Sequence, residues 1–183
     1  ILNNVSVVKT GVSDGIDSIV WYRPFDLDTT IYLPPYHYRV KNNSGQILYQ
    51  GAPSFLLQNL DTSFNFTTNT TDTNRFYSVS VYYNINGIDT LLGQSEPASS
   101  VHLYTVPNDN QIELFWNFDT PWNNNKYYVY RSDSLNGSYT LLDSSFINYY
   151  LDSGLINQKE YCYFIKSVGV PSYASLNSPI INL

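Results

Sequence analysis

The chain has 183 residues, a net charge of −6, 43% hydrophobic and 16% aromatic content, and one cysteine. That length admits one large all-β domain or two small ones. Nine basic against fifteen acidic residues leave no basic patch to neutralise phosphates, which argues against nucleic acid and anionic membranes. Eighteen tyrosines and no methionine favour sheets, where aromatic and β-branched side chains pack well on a pleated surface. Charged residues are only 13%, so Asn, Ser, Thr and Gln must supply the polar surface. Cys162 alone cannot form an internal disulfide and is too little for a metal cluster. No apolar run approaches a membrane span, so no membrane insertion is expected. The start, Ile1-Leu2-Asn3-Asn4, carries neither Met nor a signal-like apolar region, and reads as a monomeric segment of a larger multidomain chain.

Short alternating runs bounded by turn residues recur along the chain, the pattern of sandwiches and barrels. The first strand is expected at Asn4–Thr10, and the second at Asp17–Tyr22, carrying Trp21. A long loop, Arg23–Pro35, closes on Pro34-Pro35, which no central strand tolerates. Tyr36–Lys41 follows, with Tyr36, Tyr38 and Val40 on one face and His37 and Arg39 on the other. Asn42–Gly45 is a hairpin signal leading to Gln46–Gln50. Asp61–Thr67 and Phe76–Asn84 are further strands, and Asn86-Gly87 turns the chain back through Ile88–Gln94. Ser95–Ser100 reads as a linker.

Then the pattern restarts. Strands are expected at Val101–Val106, Gln111–Asn117 with Trp116, Lys126–Arg131, Tyr139–Leu142, Asn148–Leu151, Glu160–Val168 and Ser175–Leu183. Turns fall at Pro107–Asn110 and Asn136-Gly137. No segment of ten residues holds a helical period. The chain is therefore a tandem repeat of one all-β unit, 1–98 and 99–183, each of about 90 residues. Tyr77 and Tyr161 each open a late strand, and Trp21 and Trp116 each sit in an early one.

Seven short strands, tryptophan on the second and tyrosine opening the sixth, resemble the seven-stranded, immunoglobulin-like β-sandwich of fibronectin type III, a fold free of disulfides. Leu155 with Tyr161 six residues later matches its tyrosine corner, in which the phenol pins the preceding turn to backbone; Thr71, six before Tyr77, departs from it. Further motifs run in order: Asp26-Leu-Asp28-Thr29, Pro35-Tyr36-x-Tyr38-x-Val40, Arg75-Phe-Tyr77-Ser-Val79, Ala98-Ser-Ser-Val101, Pro121-Trp122-Asn123, Tyr128-Val-Tyr-Arg131, Tyr150-Leu-Asp152-Ser-Gly-Leu155 and Tyr161-Cys162-Tyr163. The series resembles the tandem fibronectin type III segment of secreted Bacteroidota proteins that carry a gliding motility-associated C-terminal domain. That resemblance implies export to the cell surface or medium, no enzymatic activity and no cofactor. It also implies a partner for Cys162 beyond this segment; a small buried hydrophobe is the alternative reading of that thiol.

Sites for chemistry are few. His37 and His102 lie on strand faces opposite apolar neighbours and read as surface side chains. Asp26 and Asp28 share a loop that oxygen-seeking calcium would accept, but short acidic spacings are ordinary in loops. The aromatic surplus supplies the candidate ligand-binding residues, Trp122, Tyr128 and Tyr149, whose exposed rings would stack on sugars. The competing reading packs Trp122 over the open end of the sandwich and pairs the tyrosines across strands. Trp21, Tyr77, Trp116, Leu155, Tyr161 and Cys162 are expected to be structural. The function expected is a spacer or adhesion segment of a cell-surface protein, contacting protein or polysaccharide. The alternative is a carbohydrate-binding module of the kind attached to polysaccharide-degrading enzymes.

Overall fold

A computed structural model describes residues 2–24, 27–72, 74–135, 137–170 and 180–182. It divides into two compact units, Ile1–Ser100 with Asp119–Pro121, and Val101–Phe118 with Trp122–Leu183. Among the described residues the regular structure is all strand, apart from one short 3-10 turn at Leu57–Asn59.

Period-two alternation builds the first unit. In β2 (Gly15–Trp21) every odd position is buried, so Asp17, Ile19 and Trp21 share the core face. β2 lies between β1 (Leu2–Lys9) and β5 (Ser63–Thr68) in a three-stranded antiparallel sheet. A second antiparallel sheet runs β4 (Ile47–Gln50), β3 (Tyr36–Asn42), β6 (Phe76–Ile85), β7 (Ile88–Gln94). The β6–β7 turn is the expected Asn86-Gly87, both at positive φ (53° and 84°), the conformation that favours Asn and Gly. The expected linker is not free chain: Ala98–Ser99 forms a short strand, β8, paired with the start of β6, and Ala98, Ser99 and Ser100 are buried.

The second unit repeats the order. β9 (His102–Asn108), β10 (Gln111–Asn117) and β13 (Tyr149–Ser153) form one sheet. β12 (Thr140–Ser145), β11 (Asn123–Ser132), β14 (Cys162–Val170) and β15 (Ile180–Asn182) form the other. In both units the first, second and fifth strands make one sheet, and the fourth, third, sixth and seventh the other. The cores correspond as well. Trp21 meets Tyr38 edge-on, centroids 5.5 Å apart, and Trp116 meets Tyr127 in the same way at 5.2 Å. Each pair joins one sheet to the other, a β-sandwich-like arrangement. The second core is Val101, Leu114, Trp116, Tyr127, Val129 and Ile165.

Most strand ends shift by one to three residues from expectation, and two of the shifts have a clear cause. β9 runs through Pro107, tolerated because β9 is an edge strand. β11 begins at Asn123, three residues early, because three successive asparagines carry no apolar alternation to announce it. Most of the expected last strand, and Asn136 of the expected turn, lie outside the described residues.

Candidate functional site

The three predicted aromatics do not converge. Trp122, one residue before β11, is 4% exposed. A Cβ on Gly169 of β14 would stand 2.6 Å from its Cδ1, so the pyrrole edge of the indole packs on bare backbone and the buried ring presents no face to solvent. Tyr128 is half-buried on the outer face of its sheet, opposite core-facing Tyr127 and Val129, with the Lys126 ammonium 4.9 Å from its ring. Tyr149 is half-buried on the outer face of the other sheet, while Tyr150 turns to the core. Cross-strand register sets Tyr104, Phe115 and Tyr149 in one row, but Phe115 and Tyr149 are tilted 51° to each other, not coplanar.

The structural residues carry an unexpected equivalence. Val40 pairs with Val79 and Asn42 with Tyr77; Val129 pairs with Ile165 and Arg131 with Tyr163. The counterpart of Tyr77 is therefore Tyr163, and that of Tyr161 is Arg75. Both Tyr77 and Tyr163 donate to a carboxylate, Asp17 in β2 and Asp152 in β13. Burial, then the partner's negative charge, raises the Tyr77 pKa; burial and the hydrogen bond do so for Tyr163. Tyr161 accepts the Ile156 N–H at 3.1 Å, beside buried Leu155, and so pins that turn. In the first unit Arg75 does this work, its Nε donating to the Asn69 carbonyl at 3.2 Å. Cys162 is a half-buried thiol paired in register with Ser132.

Both histidines are buried, His37 at 2% and His102 at 9% exposure, contrary to a surface role. His37 stacks on Tyr82 across the β3–β6 pair (5.4 Å, 12°), and Asp89 of β7 stands 3.5 Å from its Nε2. Arg39 hydrogen-bonds the same Asp89 and lies 4.3 Å over the Tyr82 ring. Desolvation holds the His37 pKa below the usual imidazole value; Asp89 opposes this, but its charge is already matched by Arg39. Burial would raise Tyr82, yet hydrogen bonds and charge from Lys41 and Arg39 together bring it down. The ensemble is a polar cluster sealed by ring stacking.

The open site lies at the hairpin end of the first unit. A cavity of about 660 Å³ opens between β4, Phe66 of β5 and the start of β6, where Arg75, Phe76 and Tyr77 stand. A smaller one, about 290 Å³, lies on the other side of the Asn42–Gly45 turn, with Lys41 and Gln94 on its border. Cavities of this size hold small ligands when polar groups converge on them. Phe66 and Tyr77 of the larger cavity's lining belong to a longer ring series: Tyr49 and Phe64 stack at 4.6 Å, and Phe64, Phe66 and Tyr77 follow at centroid spacings of 6.3 and 6.4 Å. Sequence reasoning missed the site because its walls come from four separated segments, and the signals two of them carry, the Asn42–Gly45 turn and Arg75-Phe-Tyr77, speak of fold rather than of a ligand.

Asp26 lies outside the described residues, and Asp28 is occupied locally, its Oδ1 accepting from the Thr30 N–H and hydroxyl. Among the described residues no three His, Cys, Asp or Glu side chains group as a metal site. No helix among them is long and apolar enough to cross a membrane. Neither a protein-family model nor a curated protein matches the chain.

Proposed function

We propose that the chain is a non-catalytic adhesion and spacer segment of a large exported cell-surface protein, built of two sandwiches of the fibronectin type III kind. The observation that carries this reading is the recurrence of one strand order, with the same tryptophan–tyrosine core pair, in both units. Repeated sandwich modules of this kind serve widely in cell-surface proteins. The surface chemistry agrees, with few charges and abundant Asn, Ser and Thr. Fold does not fix function, so the weight rests on the site. There, open cavities bordered by amides, aromatic rings and cations suit holding a ligand. The same cavities favour the second reading, a carbohydrate-binding module.

Beads coated with the folded chain should be retained on intact cells or extracellular material of the producing organism. Beads carrying a chain unfolded by Trp21→Ala and Trp116→Ala should not. Equal retention of the two would remove the adhesion reading.

A further inference from the structure

Two cavities flank the Asn42–Gly45 turn, and Asn42, Asn43, Phe76 and Tyr77 border both. Their charge is unlike that of the whole chain. Acidic residues outnumber basic ones fifteen to nine, yet among the described residues no Asp or Glu borders either cavity, while Arg75 borders one and Lys41 the other. The Asp17 carboxylate, which feels the charge of Arg75, is shut away at 2% exposure and takes the Tyr77 hydroxyl.

Both cations keep unused donors. Arg75 spends Nε on Asn69, and its two terminal nitrogens make no hydrogen bond among the described residues. Lys41 spends one proton on the Tyr82 hydroxyl at 3.0 Å and retains two. A planar guanidinium fork suits a carboxylate, and a lysine adds a second point charge. Between the cations stand the half-buried ring of Phe76 and the exposed amide of Asn43. An amide both donates and accepts, so it answers hydroxyls, while an aromatic face accepts the C–H face of a sugar ring.

Resting on the adhesion reading above, we infer that the hairpin end of the first unit binds an acidic saccharide, a chain of uronic acids laid across Phe76. Arg75 and Lys41 take successive carboxylates, and Asn43 with Gln46 and Gln94 takes hydroxyls. Nucleic acid is a poorer occupant, because two cations are too few to neutralise a dense phosphate backbone. An acidic peptide supplies the charge but no vicinal hydroxyls for the amides.

The test is calorimetric titration of the intact chain with an oligogalacturonate, its methyl ester and polyglutamate. The oligogalacturonate should bind saturably and more weakly as salt rises, and the neutral ester should lose most of the affinity. Lys41→Gln and Arg75→Gln should each weaken binding about tenfold, the loss of one charge-assisted contact. Arg75→Lys should recover part of that loss, and Asn43→Ala should weaken binding without altering the salt dependence. Because Arg75 also holds Asn69, thermal melts accompany every variant; Lys41→Gln and Asn43→Ala keep the test decisive if Arg75→Gln does not fold. Absence of binding, affinity unchanged in both folded charge variants, or polyglutamate binding as tightly as the uronate would overturn the inference. If polyuronate fails while coated beads still adhere, the ligand assignment falls and the adhesion reading stands.

Discussion

Asp17 and His37, both in the first unit, show how burial sets the behaviour of single residues. Burial lifts the Asp17 pKa, and the Tyr77 hydrogen bond with the charge of Arg75 only partly restores it. Its second oxygen, Oδ1, is buried without a partner. A raised pKa means that the folded chain holds the proton more tightly than the unfolded one. Stability from this group is therefore full below the ordinary Asp value, about 4, and is lost as pH rises through the folded value. Asp17→Asn keeps an oxygen for Tyr77 and removes the buried charge. Urea denaturation should show the variant more stable than the parent near neutral pH, with the gain shrinking on acidification. A loss of about 1 kcal/mol or more at neutral pH would mean the carboxylate is net favourable. His37 has the opposite sign. Its pKa is lowered, so its contribution is present above about pH 6.5 and is lost as pH falls through the folded value. His37→Phe preserves a ring on Tyr82 and should flatten that acid-side loss; an unchanged pH profile would assign it to another group.

At the scale of elements, alternation made most strands legible, and the interior of β2 and all of β10 could be read directly because every second side chain meets a core. What could not be read depends on register. Tyr77 and Tyr161 look alike in sequence, yet strand pairing makes Tyr163 the counterpart of Tyr77, and no local spacing reveals that. β8 was hidden behind Pro97 and small residues that carry no hydrophobic period. Trp122 admitted both an exposed and a packed reading; its burial depends on Gly169, far along the chain. That contact makes a direct prediction. Gly169→Ala puts a methyl 2.6 Å from Trp122 Cδ1, so the indole must shift, at a cost of roughly 1–3 kcal/mol. Tryptophan fluorescence should redden as Trp122 gains water, together with a lower unfolding midpoint. A variant unchanged in both would mean that the ring is not seated on Gly169.

At the scale of the molecule, the two units raise the question of whether they unfold as one or as two. The candidate cavities, the polar cluster and the Asp17–Tyr77 pair all lie in the first unit, so its stability bears on the proposed binding. Its last strand is tied by one side chain. Ser99 Oγ accepts from the Asp119 N–H at 2.8 Å and from Asn74 Nδ2 at 3.1 Å, and donates to the Ser100 carbonyl at 3.0 Å. The Ser99 N–H donates in turn to the Asp119 carbonyl. Ser99 is fully buried, so Ser99→Ala leaves donors without an acceptor where water cannot easily enter. Each stranded donor costs about 1–3 kcal/mol. Every residue of this cluster belongs to the first unit, and the second has its own core around Trp116 and Tyr127. Hydrogen exchange should therefore speed up for the Val79 and Tyr38 amides in Ser99→Ala, while Val129 and Ile165 keep their protection. Equal acceleration in both sets would show one cooperative unfolding event spanning the chain, and the proposed adhesion segment would then be a single mechanical body rather than two modules in series.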